Sequence, residues 1–566
     1  MPSISRMVAQ VNEVFPSAAW CAANAVHLCA LTWGRSRSPG SASAIVRRFA
    51  SRRSASTTSA GVVRCEIFTA AEARRAVPGS TGPGAPPGRS DTVRLVSTPW
   101  LGDACSLVDA FRAGELSPLE ALDDCIAAIG RSPLNAFSFR DFDRAREAAT
   151  RADVSLPFGG VPFGIKELEK VAGWPYTEAS VIFKDRVAGH DDTSAARLRT
   201  TGAVLAAQTT APEFGGINCT STVLHGTTRN PWNQERTPGG SSGGTAAAVV
   251  GGLLPIATGS DGGGSIRGPA GFSGLFGLKA TYGRIPKGPD GTIEPMTTVL
   301  GCLTRSVRDT ARYFDACNGF DRRDPLSLPR VEGWEAALGN HDLAGMTAAI
   351  IVDLGIAQVR GEVADLVVVA ADRLSTAAGL RVVAVKPTLP PLRGAWAMSN
   401  MPPMVVDLGD AYPDRVDEMS PEMLMGLRGA KERFTLERAA SIERYRRQLN
   451  EAMAALFDQV DFVFCSTHPD VAFNAEGPPP STLPGRDLIH EIGFTRAIMN
   501  NAALTAPSNL NGSPAMSIPA GLVDGLPVGL QVLAGHHREQ LLLDLALAAE
   551  REMPWPLVAP GSPHIA

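Results

Sequence analysis

The chain reads as one large α/β domain behind a basic N-terminal extension. Three observations predict this. Short apolar runs alternate with helical patterns: AVLAAQ (203–208), AAIIV (348–352), RVVAV (381–385) and DFVFC (461–465) have strand length and strand composition, with helix-length segments between them. At 44% hydrophobic and 19% charged residues, the composition suits a large buried core. Three Gly- or strand-associated blocks at 160–167, 239–244 and 260–267 carry reactive side chains that can serve one site, so the 566 residues do not divide into several independent units.

Residues 1–91 form the extension. Its first ninety residues hold eleven arginines, no lysine and only Glu13, Glu66 and Glu72, a net of +8 that leaves −12 to the remainder of a chain of net −4. Rich in Ser, Ala, Gly and Pro and poor in acids, this segment is expected to be disordered, to be a transit segment, or to lie outside the true start. The run Phe15–Trp33 is interrupted by Pro16, Asn24 and His27 and has few cations before it, so no membrane span is expected.

The folded part is expected over 92–560. Ser117-Pro118-Leu119-Glu120 is a capping box with proline at the first helical position. It predicts a helix bearing Leu119, Leu122, Cys125, Ile126 and Ile129 on one face.

GVPFGIKE (160–167) reads next as a short apolar strand closing on Lys166. A lysine there is partly desolvated, which favours its neutral form. To act as a base, its reference pKa of about 10.4 must fall toward roughly 7–8. GGSSGG (239–244) follows, between the aromatic turn RNPW (229–232) and an Ala/Val-rich stretch (245–250), a placement unlike that of a flexible linker. A hydroxyl in this block can relay a proton between a lysine and a more distant nucleophile.

The apolar run LLPIATG (253–259) is expected to be a buried strand leading into SDGGGSIR (260–267). Gly262, Gly263 and Gly264 leave backbone N–H groups uncovered ahead of Ser265, the arrangement of an anion-binding nest. Ser265 is thus the candidate nucleophile, and Gly262–Ser265 the candidate oxyanion hole. A phosphate cradle is the competing reading, but the GK[ST] ending of a phosphate loop is missing. Serine needs a base. The nine histidines are scattered and no GxSxG elbow surrounds Ser265, which directs attention to Lys166.

Taken in order, GVPFGIKE, TTAPEFG (209–215), TRNPWNQERTPGGSSGG (228–244), SDGGGSIRGPAGFSGLFGLKATYGR (260–284) and SPAMSIPAGLVDGLPVGLQVLAG (513–535) resemble the ordered blocks of the amidase signature family, over about 95–555. The resemblance implies a single α/β/α domain with a mixed, twisted sheet. It implies hydrolysis of a carboxamide to carboxylate and ammonia or amine through an acyl-enzyme, with no metal or organic cofactor. Carried over by position, Lys166 is general base, Ser241 the relay behind a cis Gly240–Ser241 peptide, and Ser265 the nucleophile; Ser242, Asp261 and Arg267 support them. Two departures stand out. Gly262 occupies a place where threonine or isoleucine is usual, which suggests extra backbone freedom. Glu167 follows Lys166 where aspartate is usual, which suggests a shifted hydrogen bond.

Two alternatives stay open: the A subunit of a tRNA-dependent amidotransferase, which shares the triad, and a non-catalytic amide-binding protein. The expected partner is a small-molecule amide, without nucleic acid or membrane, and the sequence admits a homodimer. Nine widely spaced cysteines without a CxxC pair suit a reduced, cytoplasmic setting. Substrate-facing variation is expected over 387–505, outside the family blocks.

Overall fold

The computed structural model describes residues 102–291, 295–392, 394–560 and 562. The extension at 1–91 and the run Phe15–Trp33 lie outside these residues. Among the described residues, no helix is long and apolar enough to cross a membrane.

In chain order the strands are β1 (Phe137–Arg140), β2 (Pro162–Lys166), β3 (Val204–Thr209), β4 (Ser221–Thr222), β5 (Gly226–Thr227), β6 (Ile256–Asp261), β7 (Phe276–Lys279), β8 (Val299–Thr304), β9 (Thr347–Ile350), β10 (Arg381–Val382), β11 (Phe462–Ser466), β12 (Thr482–Leu483), β13 (Arg486–Asp487), β14 (Ala515–Val523) and β15 (Leu526–Ala534). Eleven of them form one sheet in the order β1-β3-β2-β6-β8-β7-β14-β15-β11-β9-β10. The trio β3-β2-β6 and the trio β11-β9-β10 pair in parallel; the other neighbours pair antiparallel. The sheet is therefore mixed, as expected.

Both faces are covered. Along β11, Phe462 and Phe464 join one apolar cluster while Val463 and Cys465 join another, the two-residue period of a strand buried on both sides. On the first face, Val363, Val367 and Leu374 of the Gly361–Ala377 helix pack with Leu542 and Leu543 of the Glu539–Glu552 helix. On the second, Leu449, Met453 and Leu456 of the Leu436–Phe457 helix meet Leu504 and Leu510. The result is a helix–sheet–helix sandwich.

The capping box forms as read. Ser117 accepts from the Glu120 N–H, and Glu120 accepts from the Ser117 N–H at 2.8 Å. The helix spans Pro118–Arg131 and buries Leu122, Cys125 and Ile129, with Leu119 and Ile126 half-buried beside them. Of the run at 381–385, only Arg381–Val382 is strand, and both residues are exposed. The run lies at the sheet edge beside β9 alone, and beyond the short strand Val383 and Val385 are half-buried against the second cluster.

The site takes its position from one parallel pairing. In β2 and β6, Phe163 faces Ile256 and Gly164 faces Ala257. Both strands thus deliver their last residues, Lys166 and Asp261, to the carboxyl-end side of the parallel pair, where open α/β sheets place their ligands. Gly164 makes the approach possible: a Cβ there would lie 2.9 Å from the Ala257 Cβ and 3.0 Å from Leu254 Cδ1.

Candidate active site

Lys166 closes β2 completely buried. Its backbone N–H donates to Thr258 Oγ1 of the neighbouring strand at 2.9 Å, fixing the depth of the side chain. Its Nζ lies 2.7 Å from Ser241 Oγ, 3.0 Å from Ser242 Oγ and 2.9 Å from Ser260 Oγ. Three hydroxyls thus surround one nitrogen. Burial lowers the lysine pKa to about 7, while Glu169 and Asp261 pull in the opposite direction and are outweighed. Near neutral pH a substantial share of this amine is therefore unprotonated and able to accept a proton from a hydroxyl.

Ser241 and Ser242 precede the fully buried Gly243–Val250 helix. The Gly240–Ser241 peptide is cis, as the resemblance implies, and Gly239 before it has φ 90. The glycines of this block are required by contact. A Cβ on Gly240 would lie 2.5 Å from the Ile217 carbonyl, and one on Gly243 would lie 2.2 Å from Thr220 Oγ1. The Gly240 N–H donates to Asn218 Oδ1 at 3.0 Å.

The SDGGGSIR segment leaves β6 at Asp261 and enters the Arg267–Ser273 helix. Ser265 stands in the turn between them, half-buried. Its carbonyl accepts from the Ser242 N–H at 3.3 Å, which joins the second motif to the third. The structure thus brings Lys166, Ser241, Ser242 and Ser260 into direct contact and links Ser265 to them through the backbone.

Asp261 and Arg267 form a fully buried two-pronged pair, Nε to Oδ2 at 2.9 Å and Nη2 to Oδ1 at 2.9 Å. Burial would raise the Asp261 pKa, but the Arg267 charge and hydrogen bonds prevail and hold it well below the usual carboxylate range. The pair does more than brace structure generally. Asp261 Oδ1 accepts from the Gly264 N–H at 2.7 Å, and Oδ2 accepts from the Ile266 N–H at 3.2 Å, so the carboxylate shapes the loop around Ser265.

This corrects part of the sequence-based expectation. The Gly264 N–H is occupied by Asp261 and is not a donor for a substrate oxyanion; Gly262, Gly263 and Ser265 remain. Of the three glycines only Gly264 takes the left-handed region, at φ 131. At Gly262 it is contact that calls for glycine. A Cβ there would lie 2.8 Å from Thr298 Oγ1, so a neighbour fills the space that a larger residue needs. Glu167, the second departure, is buried; its Oε1 accepts from Thr177 Oγ1 at 2.5 Å and lies 2.6 Å from His225 Nε2, while Oε2 has no hydrogen-bond partner among the described residues.

Several neighbours carry no mark in the sequence. Ser260, adjacent to Asp261 in the motif, is legible as a hydroxyl but not as a lysine contact. Asn509 donates to the Asp261 carbonyl and Oδ1, both at 2.8 Å, and Arg267 also donates to Ser508 Oγ and Gln531 Oε1. These lie more than 240 residues away in the chain, and no local signal marks them. In the middle segment, Met401 and Met423 are buried in a small apolar cluster.

The chain is similar to known proteins over most of its length. The family model described as Amidase matches residues 120–543. The A subunit of glutamyl-tRNA(Gln) amidotransferase from Lactobacillus acidophilus is 31% identical over 468 residues, 79% of this chain and 95% of that protein. An acylamidase from Rhodococcus erythropolis is 31% identical over 471 residues, 81% of this chain and 96% of that protein. Among solved structures, a bacterial aryl acylamidase of the amidase signature family superposes with a TM-score of 0.75 at 29% identity, over 81% of this chain and 98% of that one. With motifs, sheet order and matches concurring, the chain belongs to the amidase signature family.

Proposed function

We propose that this protein hydrolyses a carboxamide C–N bond through a Ser265 acyl-enzyme. The observation that carries the reading is the buried Lys166 Nζ, set 2.7 Å from Ser241 Oγ with its pKa lowered to about 7. In this reading neutral Lys166 takes the Ser241 proton as Ser241 takes that of Ser265. Ser265 Oγ then attacks the carbonyl carbon, and the oxyanion is met by backbone N–H groups among those of Gly262, Gly263 and Ser265. Protons returned along the same path reach the leaving nitrogen, and water releases the carboxylate. The Asp261–Arg267 pair positions the loop. The substrate is a small linear amide, and the cysteine spacing supports a cytoplasmic setting.

The test is a panel of primary, anilide, cyclic and fatty amides offered to the purified chain and to Ser265→Ala. Turnover of at least one amide, absent in the variant with the fold unchanged, is expected. Turnover surviving in Ser265→Ala would overturn the assignment. A second reading, the A subunit of a tRNA-dependent amidotransferase, is favoured by the 31% identity to one such protein. Hydrolysis of an amide by the chain alone would count against it; turnover that requires added partner chains and tRNA would favour it.

A further inference from the structure

Three consecutive carbonyls of the glycine turn are each gripped by a side chain from elsewhere. Asn509 Nδ2 donates to the Asp261 carbonyl at 2.8 Å, Trp396 Nε1 to the Gly262 carbonyl at 2.6 Å, and Thr505 Oγ1 to the Gly263 carbonyl at 2.6 Å. A planar trans peptide points its C=O and N–H in opposite directions. Each grip therefore also aims the N–H of the following residue. The Thr505 grip aims the Gly264 N–H, which Asp261 Oδ1 receives. The Asn509 and Trp396 grips aim the N–H groups of Gly262 and Gly263 away from those two side chains.

Contact reinforces the hydrogen bonds. A Cβ on Gly263 would lie 2.8 Å from Trp396 Nε1, and one on Gly264 would lie 2.4 Å from Thr505 Oγ1. The glycines thus admit the clamp as much as they free the backbone. Trp396 belongs to the Ala395–Leu408 helix, in the middle segment that carries none of the family's blocks. Half-buried, it is packed against the cluster of Met401 and Met423 and is anchored by Asn400, which donates to the Trp396 carbonyl and accepts from Thr297 Oγ1.

We propose that Trp396 is a positioning residue for the oxyanion hole: its indole N–H holds the Gly262–Gly263 peptide so that the Gly263 N–H faces the oxygen that becomes negative. The divergent helix therefore contributes to the chemistry as well as covering the site. This rests on Ser265 being the nucleophile.

A fluorophosphonate probe tests it without knowledge of the natural amide. Ser265 Oγ bonds to phosphorus, fluoride leaves, the serine proton passes to Ser241 and Lys166, and the phosphoryl oxygen gathers charge in the same hole. Saturation kinetics separate probe binding (KI) from bond formation (kinact). Trp396→Phe keeps an aromatic ring and removes the donor. It is expected to lower kinact about tenfold or more, short of the roughly 10²–10³-fold cost of deleting a donor outright, with KI unchanged. Trp396→Leu is expected to lower kinact likewise, and carries the test should Trp396→Phe fold poorly. A raised KI at constant kinact in both variants would make Trp396 a covering residue only and overturn the inference, leaving the nucleophile standing. A wild-type protein that takes no label at Ser265 would overturn the serine mechanism and this inference with it.

Discussion

Two lysines close two strands of the same sheet, Lys166 on β2 and Lys279 on β7, and both are completely buried. Burial lowers each to a pKa of about 7. Their surroundings differ. Lys166 Nζ meets the hydroxyls of Ser241, Ser242 and Ser260. Lys279 Nζ donates to the Ala280 carbonyl at 3.0 Å, and its charge is further opposed by Arg267 and favoured by Asp261 and Glu539. A carbonyl can accept a hydrogen bond but has no proton to give. A lowered lysine pKa therefore does not by itself make a base; the base also needs a hydroxyl chain through which a proton can arrive.

The largest expected effect divides the pair. Lys166→Met keeps most of the apolar stem and removes the amine, so kcat/KM should fall by at least about 10²-fold, the ordinary worth of acid–base catalysis. Ser241→Ala should be comparably severe, because it breaks the path and leaves both ends in place. The double variant should lose little more than either single one, since the groups act as a unit. Additive losses would mean that Lys166 and Ser241 act separately.

Next comes pH. In the proposed mechanism the neutral amine is the active form, so kcat/KM should rise as pH passes through about 7 and level off above it. Lys279→Met should preserve that limb, and Lys166→Met should abolish it. A limb that disappears with Lys279 instead would reverse the comparison.

The smallest effect concerns stability. Lys279 is neutral at a lower pH when folded than when unfolded, so between about 7 and the unfolded value near 10.4 the unfolded chain binds more protons and stability climbs with pH. Removing the buried cation should therefore raise Tm most at pH 6, with the gap over wild type closing toward pH 10, and kcat should change by less than a few-fold. A Tm gain independent of pH would show that packing, not charge, distinguishes the variant.

By itself the sequence determined what is local or ordered along the chain. The capping box at Ser117, the strands around Lys166 and before Asp261, and the glycine blocks follow from nearest neighbours and short periods. Three spaced motifs were sufficient to bring Lys166, Ser241 and Ser265 together as one proposal. Only the tertiary structure decided what those groups touch. The pairing of β2 with β6 places Ser260 against Lys166, and Asp261 takes the Gly264 N–H that looked free. Asn509, Thr505 and Trp396 arrive from segments more than 130 residues away to orient the turn. Hydrogen bonds across such separations depend on sheet order and helix docking, which a single sequence encodes collectively and no short window contains. The difference between the two lysines is of the same kind: the strand closing on Lys166 predicts a partly desolvated amine, but which oxygens surround either lysine is settled only by what packs there.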